Sequence, residues 1–109
     1  MTEKLEELEE IVKELKSKIG IEEDVGIKLK KFKLKLASVS LSKKVIYINA
    51  ELIEKLDEKE IRYIIAHELL HIKHGVFHTT KFQQELTRLC GKDLHTNIVE
   101  KCKAMNVQD

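Results

Sequence analysis

The sequence predicts an α+β fold in which an N-terminal backing helix, a small sheet and several later helices share one core. Three observations carry this prediction. Apolar residues recur at helical spacing over residues 2–19, they alternate with polar residues between Gly26 and Ile48, and helical spacing returns afterwards. A chain of 109 residues fits a single domain, 1–109, with a modest core.

Composition restricts the class of protein. An apolar fraction of 42% and a charged fraction of 36% are typical of a globular domain, and a net charge of +1 argues against a nucleic-acid partner. No apolar run approaches the roughly 18 residues of a membrane span, and the N-terminus lacks a secretory signal. We therefore predict a soluble, cytoplasmic protein. Its frequent Lys and Glu and its few Gln and Asn are typical of thermophiles.

The backing helix is predicted over residues 2–19. Thr2 can cap its first turn and Gly20 can end it. Glu and Lys occupy the opposite face at spacings that favour ion pairs. The apolar stripe consists of Leu5, Leu8, Ile11, Val12, Leu15 and Ile19.

Alternation of apolar residues with lysines predicts a three-stranded sheet after Gly26. The phase of the alternation slips at Lys30-Lys31, which indicates a bulge or a break before residues 32–36. Short strands are predicted over residues 37–41 and 45–48. The lysines allow two interpretations: a basic stripe that meets a phosphate backbone, or the solvent face of a sheet whose edge they protect from pairing. We favour the second.

The rest of the chain is predicted to be helical. Asn49 can cap a short helix, and Asp57 with Glu60 forms a capping box for a longer one, which Gly75 ends. Asp93 can cap the last helix. The predicted helices cover residues 50–56, 57–74, 78–90 and 93–105.

One motif carries chemistry: His67-Glu68-Leu69-Leu70-His71. Two histidines four residues apart project from the same helix face, so both imidazoles can bind one Zn²⁺ ion. Glu68 lies beside them, where its carboxylate can take a proton from a water molecule that the metal has acidified. The motif predicts a metal site with Glu68 as the catalytic base.

A catalytic zinc site needs a third protein ligand. His74 lies about 10.5 Å further along the helix than His67 and is too distant to share the ion. His78 is the preferred candidate, because Gly75 ends the helix and the chain can return toward the metal. Glu85 and His95 remain alternatives.

The stretch from Val45 to Gly75 resembles the core of HtpX-type and CAAX-prenyl-protease-type membrane metallopeptidases. Those enzymes have transmembrane helices and a glutamate as third ligand, whereas this chain lacks the spans and the full later glutamate motif. Over nearly its whole length the chain is similar to the small soluble archaeal minigluzincins. This resemblance implies a zincin-like fold and a gluzincin-like zinc endopeptidase. It also implies His67 and His71 as ligands, Glu68 as base and a histidine, His78, as third ligand.

Two alternatives of function stay open. The segment from His78 to Phe82 is similar to a His-x3-Phe element of SprT-like and Wss-type proteases, which act on proteins at DNA, although their DNA-binding extensions are missing here. The domain can also be a non-catalytic zinc module if His95, Cys102 or the C-terminal carboxylate supplies a fourth ligand.

Two further expectations concern the substrate and the C-terminus. We expect the strand over residues 37–41 to offer its edge to a peptide or protein substrate. The helix after Asp93 is not needed for catalysis, and minigluzincin resemblance implies C-terminal latency. Residues 93–109 are therefore predicted to hold the enzyme in a zymogen-like form, either within one chain or exchanged in a homodimer.

Overall fold

The computed structural model describes residues 2–33, 35–51 and 53–91. The predicted last helix, with His95, Cys102 and the proposed latency and dimer segment 93–109, lies outside these residues. The described chain confirms an α+β fold of three helices and one small sheet. Its elements are α1 Thr2–Ile19, β1 Gly26–Lys30, β2 Ala37–Ser40, β3 Val45–Asn49, a 3₁₀ turn Ile53–Lys55, α2 Glu58–His74 and α3 Thr80–Cys90.

The sheet has the strand order β1-β3-β2. β1 runs parallel to β3, with Ile27 opposite Ile46, whereas β2 runs antiparallel to β3, with Val39 opposite Ile46. Strand β2 is therefore an edge strand of the described sheet. Ile27, Ile46 and Ile48 point into the core, and the lysines of β1 lie on the opposite, exposed face.

Helix α2 lies at the centre of the molecule. It packs against α1, α3, β2 and β3, and its buried residues point in several directions around the helix axis, as expected for a helix enclosed by other elements. None of the helices among the described residues is long and apolar enough to cross a membrane. The buried residues of α2 are Glu60, Ile61, Tyr63, Ile64, Ile65, Ala66, Glu68, Leu69 and Leu70.

The predicted capping box of α2 is present. The Asp57 carboxylate accepts a hydrogen bond of 2.8 Å from the Glu60 amide, and the Glu60 carboxylate accepts one of 2.9 Å from the Asp57 amide. Gly75 ends the helix with a φ of 91°, a conformation that favours glycine, and its amide donates to the carbonyl of His71. The helix that carries the motif is thus fixed at both ends by local sequence.

Two elements differ from the sequence prediction, and Asn49 explains both. Its buried side-chain amide donates to the carbonyls of Phe32 (3.3 Å) and Lys35 (2.9 Å), so the connection before β2 is held by a side chain and does not continue as a strand. Its side-chain oxygen accepts from the amide of Glu51 at 2.9 Å. This local bond favours a turn over a helix, and the predicted helix over residues 50–56 is reduced to one 3₁₀ turn.

Candidate metal centre

Three histidines form a cluster at the C-terminal half of α2. His67 and His71 lie one turn apart on the helix, and His78 lies in the connection between α2 and α3. The ring centroids are 4.9 Å apart for His67 and His71, 5.0 Å for His67 and His78, and 4.8 Å for His71 and His78. One nitrogen from each ring lies within 4.8 Å of the other two.

The spacing and hydrogen bonding of the imidazoles fit a metal ligand set. Nε2 of His71 and Nε2 of His78 are 3.0 Å apart, close to the roughly 3.3 Å between two nitrogens that share one tetrahedral zinc. Nδ1 of His71 lies 3.0 Å from the carbonyl oxygen of Gly75. Because a carbonyl only accepts, Nδ1 carries the proton and Nε2 is left with a lone pair that faces the cluster.

The turn after α2 brings His78 back to the helix. Gly75 reverses the chain, and Thr79 caps α3 by accepting a 3.2 Å hydrogen bond from the Phe82 amide. His78 is the residue directly before this cap. The glycine and the cap therefore define both ends of the short segment that carries the third imidazole.

Phe82 forms the apolar floor of the cluster. Its ring is fully buried, and its centroid lies 5.3 Å from that of His67, 4.8 Å from that of His71 and 4.9 Å from that of His78. In the sequence Phe82 belongs to a His-x3-Phe element, and this packing was not predicted from it. The spacing of four residues was the available signal, since it puts Phe82 one turn into the helix that begins beside His78.

Glu68 is positioned at the side of the cluster. It is 8% exposed, and its Oε1 atom lies 3.4 Å from Nδ1 of His67. Its carboxylate is thus adjacent to the imidazoles. Tyr63, one turn before His67 on α2, is buried in the core. Its ring stacks on that of His67, with 6.3 Å between the ring centroids.

The other predicted ligands are engaged elsewhere or lie outside the described residues. Both oxygens of Glu85 accept hydrogen bonds from Lys73, at 2.9 and 3.2 Å, and Nε2 of His74 is 2.9 Å from the same carboxylate. Burial acts to raise the pKa of Glu85, but the hydrogen bonds from Lys73 and His74 outweigh it, and the net pKa is lowered. Lys73 also donates to the carbonyl of Ile19. This ionic group therefore connects α1, α2 and α3. The remaining candidate ligand, His95, lies outside the described residues.

The cluster offers three imidazole donors. Within residues 2–33, 35–51 and 53–91 these three rings form the group whose nitrogens all lie within 4.8 Å of one another, and the Glu68 carboxylate lies beside them on the His67 side. Three protein ligands with a free position are the pattern of catalytic metal sites, whereas structural zinc sites have four. The fourth-ligand candidates His95 and Cys102 lie outside the described residues.

A helix that carries HExxH, packed under a small sheet and followed by a turn with a third histidine, is the arrangement typical of a metallopeptidase. Comparison with known proteins gives the family. The chain belongs to the YgjP-like metallopeptidase domain family, whose model matches residues 2–97.

Relatives and solved structures agree with this assignment. An uncharacterized protein of Aquifex aeolicus is 56% identical over 96 residues, which cover 88% of this chain and 87% of that protein. The crystal structure of the metallopeptidase zymogen of Methanocaldococcus jannaschii jannalysin matches with a TM-score of 0.79 and 33% identity, covering 92% of this chain and 97% of that one.

A second solved structure is the metallopeptidase zymogen of Pyrococcus abyssi abylysin. It matches with a TM-score of 0.77 and 25% identity over 86% of this chain and 93% of that one. Jannalysin and abylysin are minigluzincins, so the resemblance predicted from the sequence is confirmed. At these identities the chain is a relative of both proteins and distinct from each.

Proposed function

We propose that this metallopeptidase is a zinc endopeptidase in which His67, His71 and His78 bind the ion and Glu68 is the general base. The convergence of three imidazole nitrogens within 4.8 Å carries the proposal. Nitrogen ligands in a set of three are those that catalytic zinc sites use. The carbonyl of Gly75 supports the assignment, because it holds His71 in the tautomer that a metal ligand needs.

The chain's own residues supply the acid–base chemistry. When bound, zinc acts as a Lewis acid that polarises the scissile carbonyl and lowers the pKa of a water molecule. Glu68 accepts the proton of the attacking water and then donates it to the departing amine. The buried floor of Phe82 excludes solvent from one side of the imidazoles, which favours electrostatic stabilisation in the site.

The substrate is proposed to bind along β2. This strand pairs only with β3 in the described sheet, and it packs on α2, the helix that carries Glu68. An extended polypeptide can hydrogen-bond to its other edge as an additional strand. Main-chain hydrogen bonds of this kind hold a peptide with little dependence on its side chains.

Metal removal tests the proposed reaction. We expect about one zinc per chain by elemental analysis. We also expect slow hydrolysis of an unfolded protein such as casein, because residues 93–109 are predicted to hold the full chain latent. A chelator should abolish this hydrolysis, and added Zn²⁺ should restore it. Hydrolysis that persists after complete removal of the metal would contradict the proposal.

Residues 93–109 are proposed to hold the enzyme latent. Jannalysin and abylysin, whose solved structures resemble the chain, are metallopeptidase zymogens in those structures, which supports this assignment. The 19 buried apolar residues of the described chain all precede residue 93. The predicted exchange of the segment in a homodimer belongs to the same proposal.

Truncation after Gly91 is expected to raise peptidase activity. The shortened chain should stay folded and bind zinc, because the three histidines and the core precede the cut, and its oligomeric state should change. Circular dichroism, zinc content, turnover and light scattering of the two lengths give the comparison. A truncated chain that unfolds, or that gains no activity, would show that the segment is part of the core.

A further inference from the structure

The charges of the chain are unevenly distributed. Residues 25–50 include seven of the 20 basic residues and none of the 19 acidic ones. This region consists of the sheet and its connections, whereas α1 and α2 contain both signs. The sheet layer is therefore strongly basic in a chain whose net charge is +1.

Most of these lysines are free to meet a ligand. Lys44 forms an ion pair with Glu23 at 3.8 Å, and the ammonium of Lys30 lies over the rings of Phe32 and Tyr47, 5.5 Å from each centroid. The other five are exposed, and none has an ion pair within the described part of the chain. They are Lys28, Lys31, Lys33, Lys35 and Lys43.

Three of the five free lysines flank the edge strand. Lys33 and Lys35 precede β2, and Lys43 follows it in the turn to β3. A strand of this length spans about 14 Å, so a peptide paired along β2 has its flanking residues beside lysines at both ends. Because both ends are basic, the charge match does not depend on the direction in which the peptide runs.

The surface fits a polypeptide better than a nucleic acid. Single-stranded nucleic acids bind where aromatic rings are free to stack on bases. Here Phe32 and Tyr47 are half-buried, and Lys30 covers both rings. The other edge of β2, which pairs with no strand among the described residues, offers the hydrogen-bonding groups that a peptide backbone uses.

We propose that the enzyme selects polypeptide segments in which Asp or Glu flanks the residues paired with β2, and that Lys35 and Lys43 recognise these carboxylates. The inference rests on the proposed docking of substrate along β2. It adds a substrate class, acidic polypeptides, to the proposed reaction. Exposed ion pairs are individually weak, so the preference depends on several lysines together.

Binding to the full-length Glu68→Gln protein tests the inference without turnover. Fluorescein-labelled peptides of equal length, built from Ala with Glu, Gln or Lys at the flanking positions, are compared by anisotropy at low and high salt. We expect the Glu peptide to bind roughly tenfold more tightly than the Gln peptide at low salt, and the difference to shrink as salt screens the charges.

Charge reversal at the two ends of β2 should remove this preference. The variant Lys35→Glu/Lys43→Glu is compared with Lys13→Glu/Lys59→Glu, which changes the net charge equally at exposed lysines of α1 and α2. The control pair should keep the preference for the Glu peptide. An equal loss in both variants, or equal binding of all three peptides, would overturn the inference.

Three further outcomes separate this inference from others. If an oligo-dT of matched charge displaces the Glu peptide at lower concentration than unlabelled Glu peptide does, the surface is a nucleic-acid site and the inference fails. If the wild type hydrolyses Gln and Glu peptides equally well, the substrate class is wrong while the proposed reaction stands. Salt-sensitive, lysine-dependent binding without any hydrolysis, by either the full chain or the chain truncated after Gly91, would support the docking and contradict the reaction.

Discussion

Replacing Glu68 by glutamine is expected to lower kcat by about 10²- to 10⁴-fold, the range typical of a lost general acid–base group, while zinc stays bound. Glutamine keeps the size of the side chain but cannot accept the proton of the attacking water. The carboxylate is not among the three nitrogens proposed as ligands, so the metal site should be unaffected. Steady-state hydrolysis and zinc content of the same preparation give both quantities.

The variant Glu68→Asp is the matched comparison. It keeps the carboxylate but shortens the side chain, so we expect partial activity between those of the wild type and Glu68→Gln. Release of zinc by Glu68→Gln would show that Glu68 is a ligand. Full activity of Glu68→Gln would show that another group is the base.

Replacing His78 by alanine is expected to weaken zinc binding by more than about 100-fold. Changes to residues that only support the ligands typically cost 10- to 100-fold, and loss of one of three ligands should exceed this. His74 offers a matched control three residues after His71, because its ring is paired with Glu85 at 2.9 Å. We expect His74→Ala to change zinc affinity little, as measured by competition with a chromophoric chelator.

The stability of each apo protein must be recorded beside its zinc affinity. His74→Ala removes a partner of Glu85 and is expected to destabilise the fold by about 1 kcal/mol, whereas exposed His78 should contribute less. Weaker zinc binding with an unchanged apo stability therefore assigns His78 to the site. Equal zinc affinities of the two variants would exclude His78 as a ligand.

Local sequence was sufficient to predict the helices that build the site. The bounds of α1 agree with the apolar stripe and with Gly20 as the residue that ends the helix. The start of α2 follows from the reciprocal bonds of Asp57 and Glu60, and its end follows from Gly75. Each of these signals acts between residues that are at most four positions apart. Local sequence alone therefore determines where these helices begin and end.

The sheet could be predicted only in part, because its contacts are distant in sequence. Alternation indicated the strands, but it does not reveal that β1 pairs with β3 in parallel or that β2 lies at the edge. Asn49 shows the same limit. The sequence predicts Asn49 to be a local helix cap. In the fold its side-chain amide donates to carbonyls 14 and 17 residues away, and these hydrogen bonds hold the segment before β2 in a conformation that is not a strand.

The residues of the metal centre also differ in how far local sequence predicts them. The spacing of His67 and His71 on one helix is a local property, and it indicated two of the three clustered rings. The third ring, His78, was one of three candidates, because its approach depends on how α3 packs on α2. The structure brings His78 to the cluster and places Glu85 against Lys73, but the metal-binding role remains a prediction.

The position of the metal tests the central claim most directly. An anomalous difference map at the zinc edge, from crystals of zinc-loaded Glu68→Gln protein, locates the ion without assumptions about its ligands. We predict one peak about 2.0–2.1 Å from a nitrogen of His67, His71 and His78. A peak away from these rings, or one in which Glu85 or His95 takes the place of His78, would contradict the account.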